Sequence, residues 1–465
     1  MASRTKAAAT SICNSARPTE ANRGRAGGRW VPCLCALAWL VVPPFVFAQS
    51  EEEPEGQPAI ASRADVIQAI EFHGNKVTRR RILLQEMLIK VGDVADPALI
   101  ERSRQAIMNL GLFTSVVAAT EPRDDGVVLH LHVKEKYYIL PVPKLNRDDY
   151  NNISYGAEIT ADNLFGLNQQ LKLRYETEDA VTVTEGEVVN YLLGYSYPRV
   201  LGSAWSLGAE AVLTRQPVES SASVYEQDAW SAAFRLSRWL NLRGPSRGWQ
   251  IGSGLVWRQN SYEYRSGPLT DGFVAASTVG VPVSVQFIDV NDYLYSRSGM
   301  DYGYIGELGA PVLGSDTHYN RHEIYYRRYF LLRGRPHQNI DLQWKLGLSS
   351  GELFPGEANA YSLGGSKSMR AYDRGTINGN AYALINLQYL VPVFGYKPLR
   401  AVAFADIGNA YPSNREFDAG KILWDVGVGL RLRLKSFVKI DLRVDAAWNP
   451  ENGDWKVFAG TKDVF

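Results

Sequence analysis

The chain has 465 residues, 45% hydrophobic and 21% charged, with 50 basic against 49 acidic side chains. That is enough apolar material for a large core, and it excludes a disordered or collagen-like chain. A formal net charge of +1 leaves no basic excess that points to nucleic acid.

Six basic residues (Arg4, Lys6, Arg17, Arg23, Arg25, Arg29) and one acid, Glu20, precede the apolar run Trp30 to Ala48. The pattern predicts a secretory signal peptide over residues 1–48, cut after Val46-Phe47-Ala48. Pro43 and Pro44 argue against an uncleaved anchor helix. Val31 and Pro32 before Cys33 do not make a lipid-attachment site. Cleavage would remove Cys13, Cys33 and Cys35, so the exported chain owes nothing to disulfides or thiolate chemistry. It would keep 44 basic and 48 acidic residues, a net of −4.

Residues 49–62 read as a flexible leader, with Glu51, Glu52, Glu53 and Glu55 among Pro54, Gly56 and Pro58. Residues 63–136 then predict a small α+β domain in the order strand, helix, helix, strand, strand. Val66 to Phe72 forms the first strand, turned at His73-Gly74-Asn75. Thr78 is placed to cap a helix carrying Ile82, Leu83, Met87 and Leu88, which stops at Val91-Gly92. Asp96 caps the second helix, Pro97 takes its first position, and Leu99, Ser103, Ala106, Ile107 and Leu110 share one face. Ser115 to Glu121 and Val127 to Glu135 form the last two strands, joined at Arg123-Asp124-Asp125-Gly126.

From Tyr137 the period shifts to two. Ile340, Leu342, Trp344, Leu346 and Leu348 alternate with Asp341, Gln343, Lys345 and Gly347; Val426, Val428, Leu430, Leu432 and Leu434 alternate with Gly427, Gly429, Arg431, Arg433 and Lys435. Ten-residue segments, apolar outward and charged inward, predict a transmembrane β-barrel over residues 137–465. Sixteen segments are counted, starting near 137, 153, 169, 188, 204, 227, 249, 281, 301, 320, 338, 379, 398, 421, 436 and 454. An even count is what a bacterial barrel requires.

The words of residues 66–136, "VIQAIEFHGNKVT", "KVGDVADPALIERSRQAIMNLGLFTSV" and "DGVVLHLHVKEK", resemble a POTRA domain. The stretch Ser350 to Asn378 holds "LGGSKSMRAYDRG", and with "DNLFGLNQ" (Asp162 to Gln169) it resembles the BamA/TamA family of outer-membrane proteins. That resemblance implies a loop folded into the lumen with its tip at Met369, Arg370, Ala371 and Tyr372. It also implies a facing strand motif at Phe404, Asp406 and Gly408, and from the two together an Arg370–Asp406 ion pair is expected. Ala371 stands where the family usually has Gly, which limits positive φ, and Gln388 where relatives often have Glu. Phe465 supplies the terminal aromatic of an assembly signal, although Thr461 and Asp463 make a poor version of it.

The resemblance further implies a protein of the bacterial outer membrane with the POTRA domain in the periplasm. Its work would be assembly, insertion or translocation of unfolded outer-membrane or secreted client proteins. Periplasmic chaperones or accessory subunits are further expected partners, beside the lipid bilayer. Client capture is expected along the strand edge Ser115, Val116, Val117, Ala118 and Ala119. A dedicated two-partner-type secretion pore and a passive or structural channel are the alternatives. No enzyme activity, cofactor or metal is expected: phosphate-loop and HExxH patterns are absent, and His130 and His132 share a strand face with no recognisable third ligand.

Overall fold

The computed structural model describes residues 66–147, 153–179, 187–220, 223–241, 244–268, 273–357, 359–373, 375–438 and 441–460. The predicted signal peptide, the acidic leader and Phe465 lie outside them.

The N-terminal domain consists of β1 (Ile67–His73), α1 (Arg80–Glu86), α2 (Pro97–Asn109), β2 (Phe113–Arg123) and β3 (Gly126–Glu135). β3 is central, parallel to β1 and antiparallel to β2, so β2 is an edge. Leu129, Leu131 and Val133 on one face of β3 pack with Ile67, Leu83 and Ile107 in the core. Each such side chain contributes about 1.5–3 kcal/mol when fully buried. Asp96 caps α2 as predicted, accepting from the Ala98 N–H at 2.8 Å.

Thr78 does not cap α1, which corrects the sequence reading. The N-cap is Arg79, which makes no side-chain cap bond. The Thr78 hydroxyl instead donates to the Glu135 carboxylate at 2.6 Å, and that carboxylate also accepts the N–H groups of Lys76, Val77 and Thr78. A charged acceptor outbids a helix end, since hydrogen bonds to ions are about twice as strong as neutral ones. Glu135 thereby closes the β1–α1 loop, and the helix ends early, at Glu86.

The second sheet contains β4 (Ile139–Arg147), β5 (Ile153–Leu164), β6 (Gln169–Asp179), β7 (Glu187–Tyr197), β8 (Trp205–Ser220), β9 (Ser223–Trp239), β10 (Gly248–Ser266), β11 (Ala276–Asp292), β12 (Arg297–Gly309), β13 (Tyr319–Leu331) and β14 (Asn339–Gly351). A small hairpin, β15 (Tyr361–Leu363) and β16 (Ile377–Gly379), lies off this sheet. The sheet resumes with β17 (Ala381–Val393), β18 (Tyr396–Tyr411), β19 (Leu423–Arg433), β20 (Asp441–Trp448) and β21 (Trp455–Gly460). Its 16 strands form an antiparallel meander in sequence order, as the alternation predicted.

The barrel is polar inside and apolar outside. On β14, Asp341 and Gln343 are 5% and 1% exposed, whereas Leu346 and Leu348 are 45% and 38% exposed. Inward charges pair across strands, as Lys172 with Glu158 and Arg327 with Asp301. An outer face meeting hydrocarbon and a wet lumen require this inversion, and strand pairing satisfies the backbone. Among the described residues no ladder joins β4 to β21, the two ends of the sheet. Near that seam the Tyr137 N–H donates to the Ser436 carbonyl at 2.8 Å, and Tyr137 bridges Phe437.

Candidate functional site

The loop between β14 and β17 enters the lumen, and its tip is buried there. Met369, Arg370, Ala371 and Tyr372 are 0%, 0%, 0% and 8% exposed. Met369 packs with Leu363, Ile377, Tyr382 and Leu384, and so ties the tip to the β15–β16 hairpin. Arg370 reaches the wall. Its Nε donates to Asp406 Oδ2 at 2.6 Å and its Nη2 to Asp406 Oδ1 at 2.7 Å, a two-pronged grip with both side chains inaccessible to solvent.

The guanidinium carbon lies 3.5 Å from the centroid of the Phe404 ring. That ring needs room behind it, and the room is Gly427, directly opposite on β19: a Cβ there would sit 2.3 Å from the ring. Gly429 makes the same kind of space two residues on, where a Cβ would meet Asp445 Oδ1 at 2.1 Å. The inward glycines of β19 are therefore the hollow into which the ion cluster fits. Gly408 lies beyond Asp406 on β18, opposite Leu384 and Leu423.

Several partners, Gln388 excepted, were not singled out in the sequence. Asn386 of β17 donates to Asp406 Oδ1 at 2.7 Å and to the Ser368 carbonyl at 2.8 Å, joining wall and loop. Asp445 of β20 lies 3.6 Å from Arg370 Nη1 and is gripped by Arg431 at 2.5 and 3.1 Å. The Ala371 N–H donates to Asp425 Oδ2 at 3.1 Å, and the Tyr372 hydroxyl donates to the Trp424 carbonyl at 3.3 Å. Gln388 Oε1 accepts from Arg431 at 3.0 Å and from Arg370 at 3.5 Å. The only signal for these residues was that each is an inward polar position of an alternating strand.

A second set of contacts docks the N-terminal domain on one rim of the barrel, through four consecutive turns. At the β5–β6 turn, which carries the "DNLFGLNQ" phrase, the Arg79 N–H donates to the Gly166 carbonyl at 3.0 Å and Asn163 Nδ2 to the Thr78 hydroxyl at 2.9 Å. Asn163, Phe165, Gly166 and Asn168 all take positive φ there. At the β7–β8 turn Arg199 donates to the Gln85 carbonyl at 3.1 Å and lies 3.4 Å from Glu86 Oε1; at the β9–β10 turn the Ser246 N–H donates to Glu86 Oε2 at 2.6 Å. At the β11–β12 turn Asn109 Oδ1 accepts from the Asp292 N–H at 3.0 Å. Glu86 is 2% exposed, and burial pushes its carboxyl above the usual range, against the opposing Ser246 N–H and Arg199 charge.

The β2 edge is open, but not at all five residues named from sequence. The Lys136 N–H donates to the Leu112 carbonyl, and Val127 donates to Val66, so even-numbered residues of β3 turn toward β2. Their partners Ser115, Val117 and Ala119 therefore spend their main-chain groups on the ladder. The main-chain groups of Val116 and Ala118 point away from β3, and the Val116 carbonyl is already taken by Arg104 at 3.2 Å.

This architecture has relatives. Residues 163–457 match the Omp85 superfamily domain, and residues 66–136 match the surface antigen variable number repeat, POTRA. The outer membrane protein assembly factor BamA of Nitratidesulfovibrio vulgaris is 23% identical over 398 residues, covering 80% of this chain and 47% of the relative. The BamA of Neorickettsia risticii is 25% identical over 177 residues, covering 34% of this chain and 22% of the relative. The chain thus spans at most about half the length of these relatives. Among solved structures, a Haemophilus ducreyi BamA lacking POTRA domains 1–3 superposes with a TM-score of 0.51 at 18% identity, over 86% of this chain and 84% of that one. CdiB from Escherichia coli gives 0.60 at 16% identity, over 85% and 76%. With its lumenal Arg370 tip, its sixteen-strand meander and a POTRA domain on one rim, the chain belongs to the Omp85 superfamily.

Proposed function

We propose that this protein works in a bacterial outer membrane, with its POTRA domain in the periplasm, as a factor that inserts or translocates client proteins. The observation that carries this reading is the seam: β4 and β21 end the sheet without a ladder among the described residues. Unpaired strand ends in a barrel are a template for an incoming strand. The outward groups of β2 offer a second such template, and backbone pairing accepts many sequences. The carboxylate cluster under Arg370 acts as a pin for the lumenal loop, and no bond is made or broken in the client. No nucleotide or cofactor is called for.

The chain contains no cysteine after Cys35, so cysteine pairs placed on β4 and β21 can lock the seam without background. Locking is expected to abolish function, and reduction to restore it. Depleting the protein and comparing outer-membrane and secreted proteomes separates the readings. Broad loss of barrel proteins supports insertion, and loss of one large secreted protein supports a dedicated secretion pore. Unchanged proteomes with steady conductance in planar bilayers mean a passive channel and overturn the proposal.

A further inference from the structure

We propose that the outer face of the POTRA sheet binds a divalent transition metal of the zinc class through Glu71, His73 and His130. Parallel pairing sets Glu71 of β1 beside His130 of β3, and His73 beside His132. These side chains lie on the face away from the helices, since Leu129, Leu131 and Val133 occupy the other.

The three donor atoms already form a ligand triangle. His73 Nε2 and His130 Nδ1 are 3.1 Å apart, His130 Nδ1 and Glu71 Oε2 3.6 Å, and His73 Nε2 and Glu71 Oε2 3.8 Å. A tetrahedral ion with bonds of about 2.0–2.1 Å to nitrogen and oxygen holds its ligand atoms roughly 3.3–3.4 Å apart. Shifts of a few tenths of an ångström in exposed side chains close the difference, with no movement of the backbone.

The surroundings fit as well. The other nitrogen of His130, Nε2, faces Glu121 Oε2 of β2 at 3.0 Å. A carboxylate behind a ligating imidazole fixes its tautomer, so the lone pair of Nδ1 is directed at the metal. His73 is held by stacking on His132, with ring centroids 4.7 Å apart and planes 18° apart. Two imidazoles and one carboxylate suit zinc, nickel or copper, whereas magnesium and calcium require oxygen shells. His73 and Glu71 have side chains 44% and 47% exposed, which leaves the fourth position open to water. The ion would clip β1 to β3, with β2 engaged through Glu121.

The test uses the full chain in detergent, purified with a histidine-free tag, because the protein has only six histidines, three of them in this patch. Zinc is titrated against a chromogenic chelator, and cobalt replaces it for the visible spectrum of a tetrahedral site. One tight equivalent is expected. His73→Ala and His130→Ala should each weaken binding about a hundredfold or more, and Glu121→Gln about tenfold to a hundredfold. His132→Ala should keep the stoichiometry, as should the barrel control His322→Ala. Retention of heat-modifiable gel mobility shows that each variant's barrel is folded, and native hydrogen exchange of β3 shows the same for its POTRA domain. Unchanged affinity in the folded His73→Ala/His130→Ala double variant would overturn the proposal, as would the absence of a tight equivalent in the native chain. So would an octahedral cobalt spectrum.

Discussion

Removing the Arg370 guanidinium tests whether the lumenal loop is pinned by its charge. Arg370→Ala deletes two charged hydrogen bonds at 2.6 and 2.7 Å and a ring contact at 3.5 Å, and leaves buried Asp406 with only neutral donors, Asn386 at 2.7 Å and the backbone N–H of residue 370 at 3.3 Å. Breaking a buried pair by removing one partner costs about 3–5 kcal/mol. At 1.4 kcal/mol per factor of ten, that is roughly two to four orders of magnitude in the docked-to-released ratio of the loop. Arg370→Lys keeps the charge but loses the fork and the planar stack, and should cost about half as much. The assay is a double-mutant cycle of Arg370→Ala with Asp406→Asn, read by urea unfolding on heat-modifiable gels and by protease cutting within residues 352–380. The coupling expected is about 1.5–3 kcal/mol. Exchanging the two charges should not rescue, because an acid at 370 would face Asp445, 3.6 Å from the present Nη1. Coupling below about 0.5 kcal/mol, or a loop equally protected in Arg370→Ala, refutes the pin.

Three further predictions concern the POTRA domain. Burial raises the carboxyl of Glu86, so the docked state holds its proton more tightly than the free domain. Docking is then strongest below the ordinary glutamate value of about 4.3 and weakens as pH rises through the raised one. Hydrogen exchange of α1 against pH should follow that course, and Glu86→Gln should flatten it; a native profile in the variant assigns the dependence elsewhere. Gly166→Ala would place a Cβ 2.1 Å from the Val77 carbonyl at positive φ, and should release the POTRA domain to proteolysis at the linker while leaving barrel mobility unchanged. Ala118→Pro should weaken binding of extended client peptides by removing an outward N–H, with β3 protection retained. Equal binding by that folded variant would mean that capture occurs on another surface.

How much of this was legible in the sequence depends on the range of the physics involved. Strand starts from Ile153 to Trp455 follow from an alternation that each strand carries within itself, because one face meets lipid and the other water. Asp96 was readable as a cap because its acceptor and donor are two residues apart. Thr78 was misread because the competing acceptor, Glu135, lies 57 residues away and arrives only when β3 is in place. The same distance hid Glu71 and His73 from His130: a parallel register across two helices leaves no local trace. The "DNLFGLNQ" phrase was recognised without its purpose, since its positive φ angles gain meaning only against Arg79 and Thr78.

The departures at Ala371 of the loop tip and Gln388 of β17 become intelligible in the same terms. Ala371 tolerates the absence of glycine because the backbone there does not take positive φ, and its methyl packs with Leu390, Val402, Phe404 and Ala447. Gln388 sits between Arg370 and Arg431 and accepts from both. Around it Arg370, Arg431 and Arg443 lie against Asp406 and Asp445. A neutral acceptor at 388 bridges two guanidiniums in a space where Asp406 and Asp445 are fully buried. Buried charge is tolerated where it is paired and bonded, and an unmatched one is costly. The reason for a neutral side chain at 388 therefore lies in guanidiniums 18 and 43 residues away along the chain, which is why no local pattern could have explained it.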